Sequence, residues 1–166
     1  MREIEIIAKS AEETKKVAAN LAQDLNPTHN FHCAKRKNNI VKVMCGIKHA
    51  FIIALEGDLG SGKTTFIQGL TKGLQIKESV LSPTFLILKQ FLISFKGYRN
   101  FYHIDAYRLK NPKELLELGF KDLINNPENI IVIEWADKIK KILPKNALMI
   151  KFENLGKNKR KIEILS

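Results

Sequence analysis

The residues of this 166-residue chain best suited to chemistry form one glycine-rich segment, Gly57 to Thr64, with the spacing G-x-x-x-x-G-K-[ST]. An apolar run at 51–56 precedes it and predicts a buried strand, while the residues at about 63–74 predict a helix. Glycines let successive backbone N–H groups face phosphate oxygens, and a helix N-terminus adds partial positive charge. Lys63 would reach the β and γ phosphates, and the hydroxyl of Thr64 would bind Mg²⁺. The segment therefore predicts a nucleotide-binding loop, with candidate contacts at Leu59, Gly60, Ser61, Gly62, Lys63, Thr64 and Thr65.

Two acidic residues end apolar runs and are candidates to serve a metal ion or a water molecule near this loop. Glu134 ends the run 130–133, and Asp105 ends the run 101–104. A Glu at such a place can orient or deprotonate an attacking water, whereas an Asp more often holds Mg²⁺ through its water shell. The sequence leaves these roles open, and either acid could instead cap the next turn. The chain lacks the Asn-Lys-x-Asp segment of common GTPases, which favours ATP over GTP.

The elements that must position these residues follow from hydrophobic periodicity. The chain begins with an alternating strand over 1–7, and Ser10 opens a helix with Glu13 three residues on, as in a capping box. Further strands are predicted in 84–95, 101–105, 129–135, 148–152 and 161–165, the first two joined by a turn at 96–97, and a helix at 111–119. We expect an α/β fold, a single P-loop NTPase domain over 1–166, with a mostly parallel central sheet, flanking helices and antiparallel strands at the edge.

Composition and charge restrict the classes of function. No run of about 18 apolar residues occurs, and two cysteines are too few for a disulfide framework, so we expect a cytoplasmic protein that does not span a membrane. The net charge of +11 points towards a polyanion. Its excess lies in 28–48, with five basic and no acidic residues, and in 138–166, with nine and two, whereas 49–137 has ten of each. We interpret 28–48 as a long basic loop or a small excursion from the fold.

Four ordered motifs resemble those of the TsaE family, also called YjeE, the bacterial ATPase needed for making threonylcarbamoyladenosine in tRNA. They are Glu56 to Phe66, Ser82-Pro83-Thr84-Phe85, His103 to Arg108, and Ile133-Glu134-Trp135. The resemblance spans nearly the whole chain. The chain departs from the family pattern at 28–48, a basic insert where relatives usually pass directly from the first helix to the strand before the glycine-rich loop. It departs again at Ala136, where a proline commonly follows the tryptophan.

The resemblance implies a small ATPase that works with the TsaD and TsaB proteins, while the threonylcarbamoyl transfer itself occurs on TsaD. It would meet tRNA indirectly or through its basic segments. By the family pattern Thr64 and Glu134 look like Mg²⁺ ligands, with Asp105 near the metal and the γ-phosphate. The implied catalytic residues are Lys63, Glu134 and Asp105.

The same resemblance adds residues around the loop. Ser82-Pro83-Thr84 resembles a nucleotide-sensing segment, whose threonine hydroxyl would gain a charge-assisted hydrogen bond when the γ-phosphate is present. Ser10 and Asp137 match positions near the nucleotide in relatives. Trp135 is either a contact for nucleotide or partner or a core aromatic, and His103 is expected to be a packed or hydrogen-bonded histidine rather than a general base.

Tyr107 and Arg108 are expected to orient the loop that follows Asp105, with an arginine contact to phosphate as the other interpretation. In the insert, His29, His32, Cys45 and His49 approximate the spacing of a structural zinc site, against the alternative of a solvated basic loop.

Two other functions stay open. One is a small-molecule kinase, although its arginine-bearing lid has little support, because Arg99 and Arg108 are the only mid-chain arginines. The other is a nucleotide-binding RNA-binding module without turnover, although no aromatic and basic motif of the known RNA-binding folds is evident.

Overall fold

The described part of the chain, residues 3–25, 49–78 and 86–165 of a computed structural model, contains one seven-stranded sheet with helices on both faces. Its elements, in chain order, are β1 (Glu3–Ala8), α1 (Ala11–Asp24), β2 (Phe51–Gly57), α2 (Lys63–Gly73), β3 (Leu88–Phe95), β4 (Tyr98–Asp105), α3 (Pro112–Glu117), α4 (Phe120–Asn125), β5 (Asn129–Glu134), a 3₁₀ helix (Ala136–Ile142), β6 (Leu148–Gly156) and β7 (Lys159–Leu165).

The strand order of the sheet is β1-β7-β6-β2-β5-β4-β3. The four central strands, β6, β2, β5 and β4, run parallel to one another. The outer pairs, β1 with β7, β7 with β6, and β3 with β4, are antiparallel. The predicted α/β fold, with a parallel centre and antiparallel edges, is therefore confirmed.

The sheet centre is apolar on both faces because β2 and β5 are continuous runs of mostly branched aliphatic residues, as expected of parallel strands covered by helices. Alternate residues of a strand point to opposite faces of the sheet, so each strand contributes side chains to two hydrophobic cores. One core lies under α1 and α2 and includes Ile53 and Val132. The other lies under α3, α4 and the 3₁₀ helix and includes Ile52 and Ile133. The polar residues that the strands carry at their ends are thereby held at the rim of a rigid sheet.

Helices α1 and α2 pack with unusually close backbones. A Cβ built on Gly69 of α2 would lie 2.2 Å from the carbonyl oxygen of Lys15 in α1, so only glycine fits there. Helix α1 begins at the predicted Ser10, whose hydroxyl accepts a hydrogen bond from the backbone N–H of Glu13 at 3.1 Å. The Glu13 carboxylate accepts from the N–H of Lys9. This close packing ties the residues around Ser10 to the helix that follows the glycine-rich loop.

Three features of the fold differ from the sequence expectation. The predicted helix 111–119 ends at Glu117, and after Gly119, whose φ is +81°, the separate helix α4 begins. The 3₁₀ helix was not predicted either, because neither short helix is long enough to show a clear period. Strands β4, β6 and β7 each extend further towards their hairpin turn than predicted.

Several expectations lie outside the described residues. These are the interpretation of 28–48 as a basic insert, the segment Ser82-Pro83-Thr84, and the zinc-like set apart from His49, which is exposed. Within the described ranges, no helix combines the length and apolarity needed to cross a bilayer.

Candidate nucleotide site at the carboxyl edge of the sheet

The carboxyl ends of three parallel strands bring the predicted loop and both predicted acids to one edge of the sheet. Strand β2 ends at Gly57, β5 ends at Glu134 and β4 ends at Asp105. In the register, Asp105 pairs with Glu134 across β4 and β5, and Leu55 of β2 pairs with Glu134 on the other side. A crevice outside the carboxyl ends of the strands is the usual ligand site of open α/β sheets.

The glycine-rich loop is held against the neighbouring strand β6. At Gly57, whose φ is +142°, an added Cβ would lie 2.5 Å from the carbonyl oxygen of Phe152, so a larger residue would displace the loop. Gly62, with a φ of +106°, occupies the N-cap position of α2 and provides no side-chain cap. The N–H groups of the first turn of α2 therefore face outward without a helical partner, which suits an anion.

Lys63 is folded back onto its own loop. Its Nζ donates hydrogen bonds to the carbonyl oxygens of Gly57 at 2.6 Å and Asp58 at 2.8 Å. The same Nζ lies 3.8 Å from the ring centre of Trp135, a cation–π contact. Burial lowers the pKa of Lys63 below its ordinary value of 10.5, although the negative charge of nearby carboxylates, Glu134 foremost, opposes that effect.

Glu134 links the loop to the sheet through both carboxylate oxygens. Its Oε2 accepts a hydrogen bond from Oγ1 of Thr64 at 2.9 Å, and its Oε1 lies 2.9 Å from Nε2 of His103. His103 and Glu134 are both buried, with 0% and 4% of their side chains exposed. The first residue of α2 after the lysine is thus joined directly to the end of β5.

The other wall of the site is built around Asp105 and Trp135. The Oδ1 of Asp105 accepts a hydrogen bond from the backbone N–H of Tyr107 at 3.0 Å. Trp135 has left-handed backbone angles, φ +59° and ψ +44°, which are costly for a bulky residue and turn the chain sharply at the end of β5. Its ring packs against Tyr107 with 4.9 Å between ring centres, and Lys138 donates to the carbonyl oxygen of Tyr107.

A cleft of about 650 Å³ lies over the loop, and residues distant in sequence also line it. Ser10 and Thr14, at the start of α1, are among them, together with Asn158 from the β6–β7 turn and Arg160 from the start of β7. Carbon atoms of Arg160 lie 3.6 and 3.8 Å from where a Cβ of Gly62 would be. Since β6 runs parallel to β2, its turn projects at the same edge of the sheet.

The structure brings most of the predicted site residues to this cleft. Those lining it are Ser10, Leu59, Gly60, Gly62, Lys63, Thr64, Thr65, Asp105 and Glu134, together with Tyr107, Arg108 and Trp135.

Leu59 is 83% exposed at the tip of the loop. Ser61 is buried, and its Oγ has no hydrogen-bond partner in the described ranges. Asp137 is exposed and outside the lining, but its charge acts on Lys63. Thr84 is not among the described residues.

Two kinds of site residue were missed by sequence reasoning. Thr14, Asn158 and Arg160 carried no motif, and only the strand order brings them beside the loop. The contact of His103 with Glu134 was also not foreseen, although the two-residue spacing of His103 and Asp105 places both on one face of β4.

The oxygen atoms at the base of the cleft suit a hard divalent cation. The Thr64 hydroxyl and the Glu134 carboxylate already touch, and Mg²⁺ takes few protein ligands of this type alongside water and phosphate oxygens. In the described part of the chain, no cluster of three or more His, Cys, Asp or Glu side chains could hold a metal by itself. A cation here would therefore need ligands from a bound phosphate and from water.

The fold and the site define a class: mixed α/β proteins with a glycine-rich loop and helix at the carboxyl edge of a parallel sheet. The sequence model of the family described as "Threonylcarbamoyl adenosine biosynthesis protein TsaE" matches residues 8–162. The chain belongs to the TsaE family, which takes part in tRNA threonylcarbamoyladenosine biosynthesis, and the resemblance drawn from the motifs is confirmed.

Individual relatives agree with this assignment. A tRNA threonylcarbamoyladenosine biosynthesis protein TsaE from Rickettsia felis is 36% identical over 164 residues, which cover 97% of this chain and 79% of that protein. The protein of the same name from Bacillus subtilis is 38% identical over 111 residues, covering 67% and 66%. Among solved structures, the crystal structure of Bacillus subtilis YdiB superimposes with a TM-score of 0.70 at 26% identity and covers 98% of this chain and 84% of that one.

Proposed function

We propose that this chain is a Mg²⁺-dependent ATPase that acts with the TsaD and TsaB proteins in the cytoplasm to support threonylcarbamoyladenosine modification of tRNA. The observation that carries the proposal is the hydrogen bond between Thr64 and Glu134. It joins the loop that would hold phosphate to the carboxylate that would hold the cation, at the base of a cleft large enough for a nucleotide.

The phosphate-binding part of the proposed mechanism rests on the loop and Lys63. Backbone N–H groups at the start of α2 would donate to phosphate oxygens. Lys63 would exchange the carbonyl oxygens of Gly57 and Asp58 for the β and γ phosphates, which carry more negative charge. The ammonium group of Lys63 therefore lies close to where it would bind phosphate, and its hydrogen bonds to the loop keep the buried charge paired.

The catalytic part of the proposed mechanism rests on the two acids. Thr64 and Glu134 would hold Mg²⁺, which supplies charge neutralisation at the phosphates. Asp105 lies beside Glu134 in the sheet and is only half-buried at the cleft, and on that basis we assign it the role of orienting a water molecule or accepting its proton. In this division Glu134 holds the cation and Asp105, at the half-buried end of β4, serves the water molecule.

Family membership supports the role of this chain in tRNA threonylcarbamoyladenosine biosynthesis, and the cleft supports a nucleotide as its ligand. The cleft combines the glycine-rich loop with the two strand-end acids Asp105 and Glu134, which are groups suited to a nucleotide and its cation. We assign the transfer of the threonylcarbamoyl group to TsaD rather than to this chain. Contact with tRNA would be indirect or through basic segments, such as that of Lys157 in the β6–β7 turn and Lys159 at the start of β7, both of which are exposed.

The deciding experiment is reconstituted threonylcarbamoylation of tRNA with TsaD and TsaB, with and without this chain, followed over many turnovers. We expect modification and ATP hydrolysis to fall at least about 100-fold with Lys63→Ala, which removes a positive charge beside the reacting phosphates, or with Glu134→Ala, which removes a ligand of the cation that neutralises them. Glu117→Ala, which removes an exposed carboxylate on α3, is the matched control and should leave both rates unchanged.

The outcomes separate the alternatives. Modification that proceeds equally well without this chain would reject the proposal. A phosphorylated small molecule formed from ATP would instead support a kinase. Binding of tRNA that is unaffected by Lys63→Ala, with no ATP turnover, would support an RNA-binding module.

A further inference from the structure

The Glu134 carboxylate contacts polar side chains from two different elements, α2 and β4. On one side the Thr64 hydroxyl of α2 donates to Oε2, and on the other Nε2 of His103 lies 2.9 Å from Oε1. His103 pairs with Val132 in the register of β4 and β5, so its ring shares the α1–α2 face of the sheet with the Glu134 side chain. The carboxylate therefore has little freedom to rotate about its last bond.

The chemistry of this contact identifies the donor. An ionised carboxylate only accepts hydrogen bonds, so Nε2 of His103 must carry the hydrogen. The other ring nitrogen, Nδ1, is buried and has no hydrogen-bond partner in the described ranges. Burying a polar group without a partner costs free energy, and apolar neighbours on this face, such as Phe101 and Val132, would accommodate an aliphatic residue instead.

We propose that His103 is a positioning residue for Glu134: its Nε2–H holds Oε1 so that Oε2 faces Thr64 and the cleft. This inference rests on the proposed function, because it concerns how the cation-holding carboxylate is kept in place. His103 is fully buried and does not line the cleft, so it acts on the reaction only through Glu134. Partners behind a metal-holding group typically change activity or metal affinity by about 10- to 100-fold when they are lost.

Two polar variants test whether the hydrogen-bond donor at residue 103 must lie at the position of Nε2. In His103→Gln the amide nitrogen ends near the position of Nε2, whereas in His103→Asn the amide is one methylene shorter and matches Nδ1. We expect His103→Gln to keep kcat for ATP hydrolysis within about threefold of wild type and His103→Asn to lower it at least about tenfold. Affinity for ADP in the presence of EDTA should stay within about twofold of wild type in both, because neither variant alters the phosphate loop.

A double variant tests whether the effect passes through Glu134. If His103 works only by positioning that carboxylate, His103→Asn should cause no further loss of kcat in a Glu134→Gln background. Independent, multiplying losses would overturn the proposal, as would equal kcat values for His103→Asn and wild type. Wild-type protein that neither binds nor hydrolyses ATP would overturn the proposed function and this inference together, whereas active wild type with an unaffected variant would overturn the inference alone.

A spectroscopic measurement covers the case in which a variant does not fold. Nitrogen–proton correlation spectra of the wild-type imidazoles should show a proton on Nε2 of His103, in a chain with four histidines to assign. We expect that resonance to shift in Glu134→Gln. An Nε2 without a proton, or an Nε2–H resonance that does not shift in Glu134→Gln, would overturn the proposal whatever the activities of the variants are.

Discussion

The ammonium group of Lys63 lies on the indole ring of Trp135, 3.8 Å from its centre. The contact joins the loop that follows β2 to the turn that follows β5, and Trp135 adopts left-handed backbone angles to make it. A phosphate that binds Lys63 would therefore have to pull the ammonium away from the ring. The surroundings of the Trp135 ring would therefore change when Lys63 moves.

Trp135 is the only tryptophan of the chain, so its fluorescence should report this movement. We expect ATP to change the emission of the wild-type protein, because the charge over the ring is displaced. In Lys63→Met the response should be much smaller at matched occupancy of the site. An equal response in both proteins would show that Lys63 does not leave the ring.

Binding of ATP should be coupled to proton uptake at alkaline pH. Burial lowers the pKa of Lys63 in the free protein, and bound phosphates would raise it, so between these two values binding takes up a proton and affinity falls as pH rises. The lower end of this window, the pKa of Lys63 in the free protein, lies below the ordinary value of 10.5. Calorimetry between pH about 8 and about 10 in buffers of different ionisation enthalpy measures the uptake. Lys63→Arg, which stays charged throughout, should bind without that uptake, and identical uptake in both proteins would contradict the assignment.

Arg160 should contribute to nucleotide affinity although it lies far from the loop in sequence. Its side chain packs beside Gly62 and lines the cleft, so Arg160→Ala should weaken ADP binding by about 10- to 100-fold through lost charge-assisted hydrogen bonds. Lys159→Ala removes the same charge from the exposed neighbouring position and should change affinity less than about twofold. Equal losses in the two variants, measured by calorimetry, would indicate a general effect of net charge instead.

Gly69→Ala should destabilise the fold. The added Cβ would overlap the backbone of Lys15, 2.2 Å from its carbonyl oxygen, so α1 and α2 would have to separate at a cost of about 1–3 kcal/mol or more in the free energy of unfolding. Urea denaturation measures this change. Lys72→Ala, on the exposed side of the same helix, should cost less than about 1 kcal/mol. Similar stabilities for the two variants would contradict the close approach of the helices.

The elements with strong local patterns were predicted well. Strands β2 and β5 are continuous apolar runs, and α3 begins with Asn111 and Pro112, which form the cap and first residue of the helix as expected. Helix α4 and the 3₁₀ helix were missed, because six or seven residues contain too few turns to show a period. Their positions depend on packing against the second core, which no local pattern specifies.

By itself, the sequence determined the glycine-rich loop, its lysine and threonine, and the two acids at strand ends, because such motifs require adjacent residues and parallel strands end at one edge. Only the tertiary structure decided which side chains meet there. The contact of His103 with Glu134, the place of Arg160 beside Gly62 and the stacking of Lys63 on Trp135 join separate segments. The order and register of the strands set those contacts, and they are properties of the whole sheet rather than of any one segment.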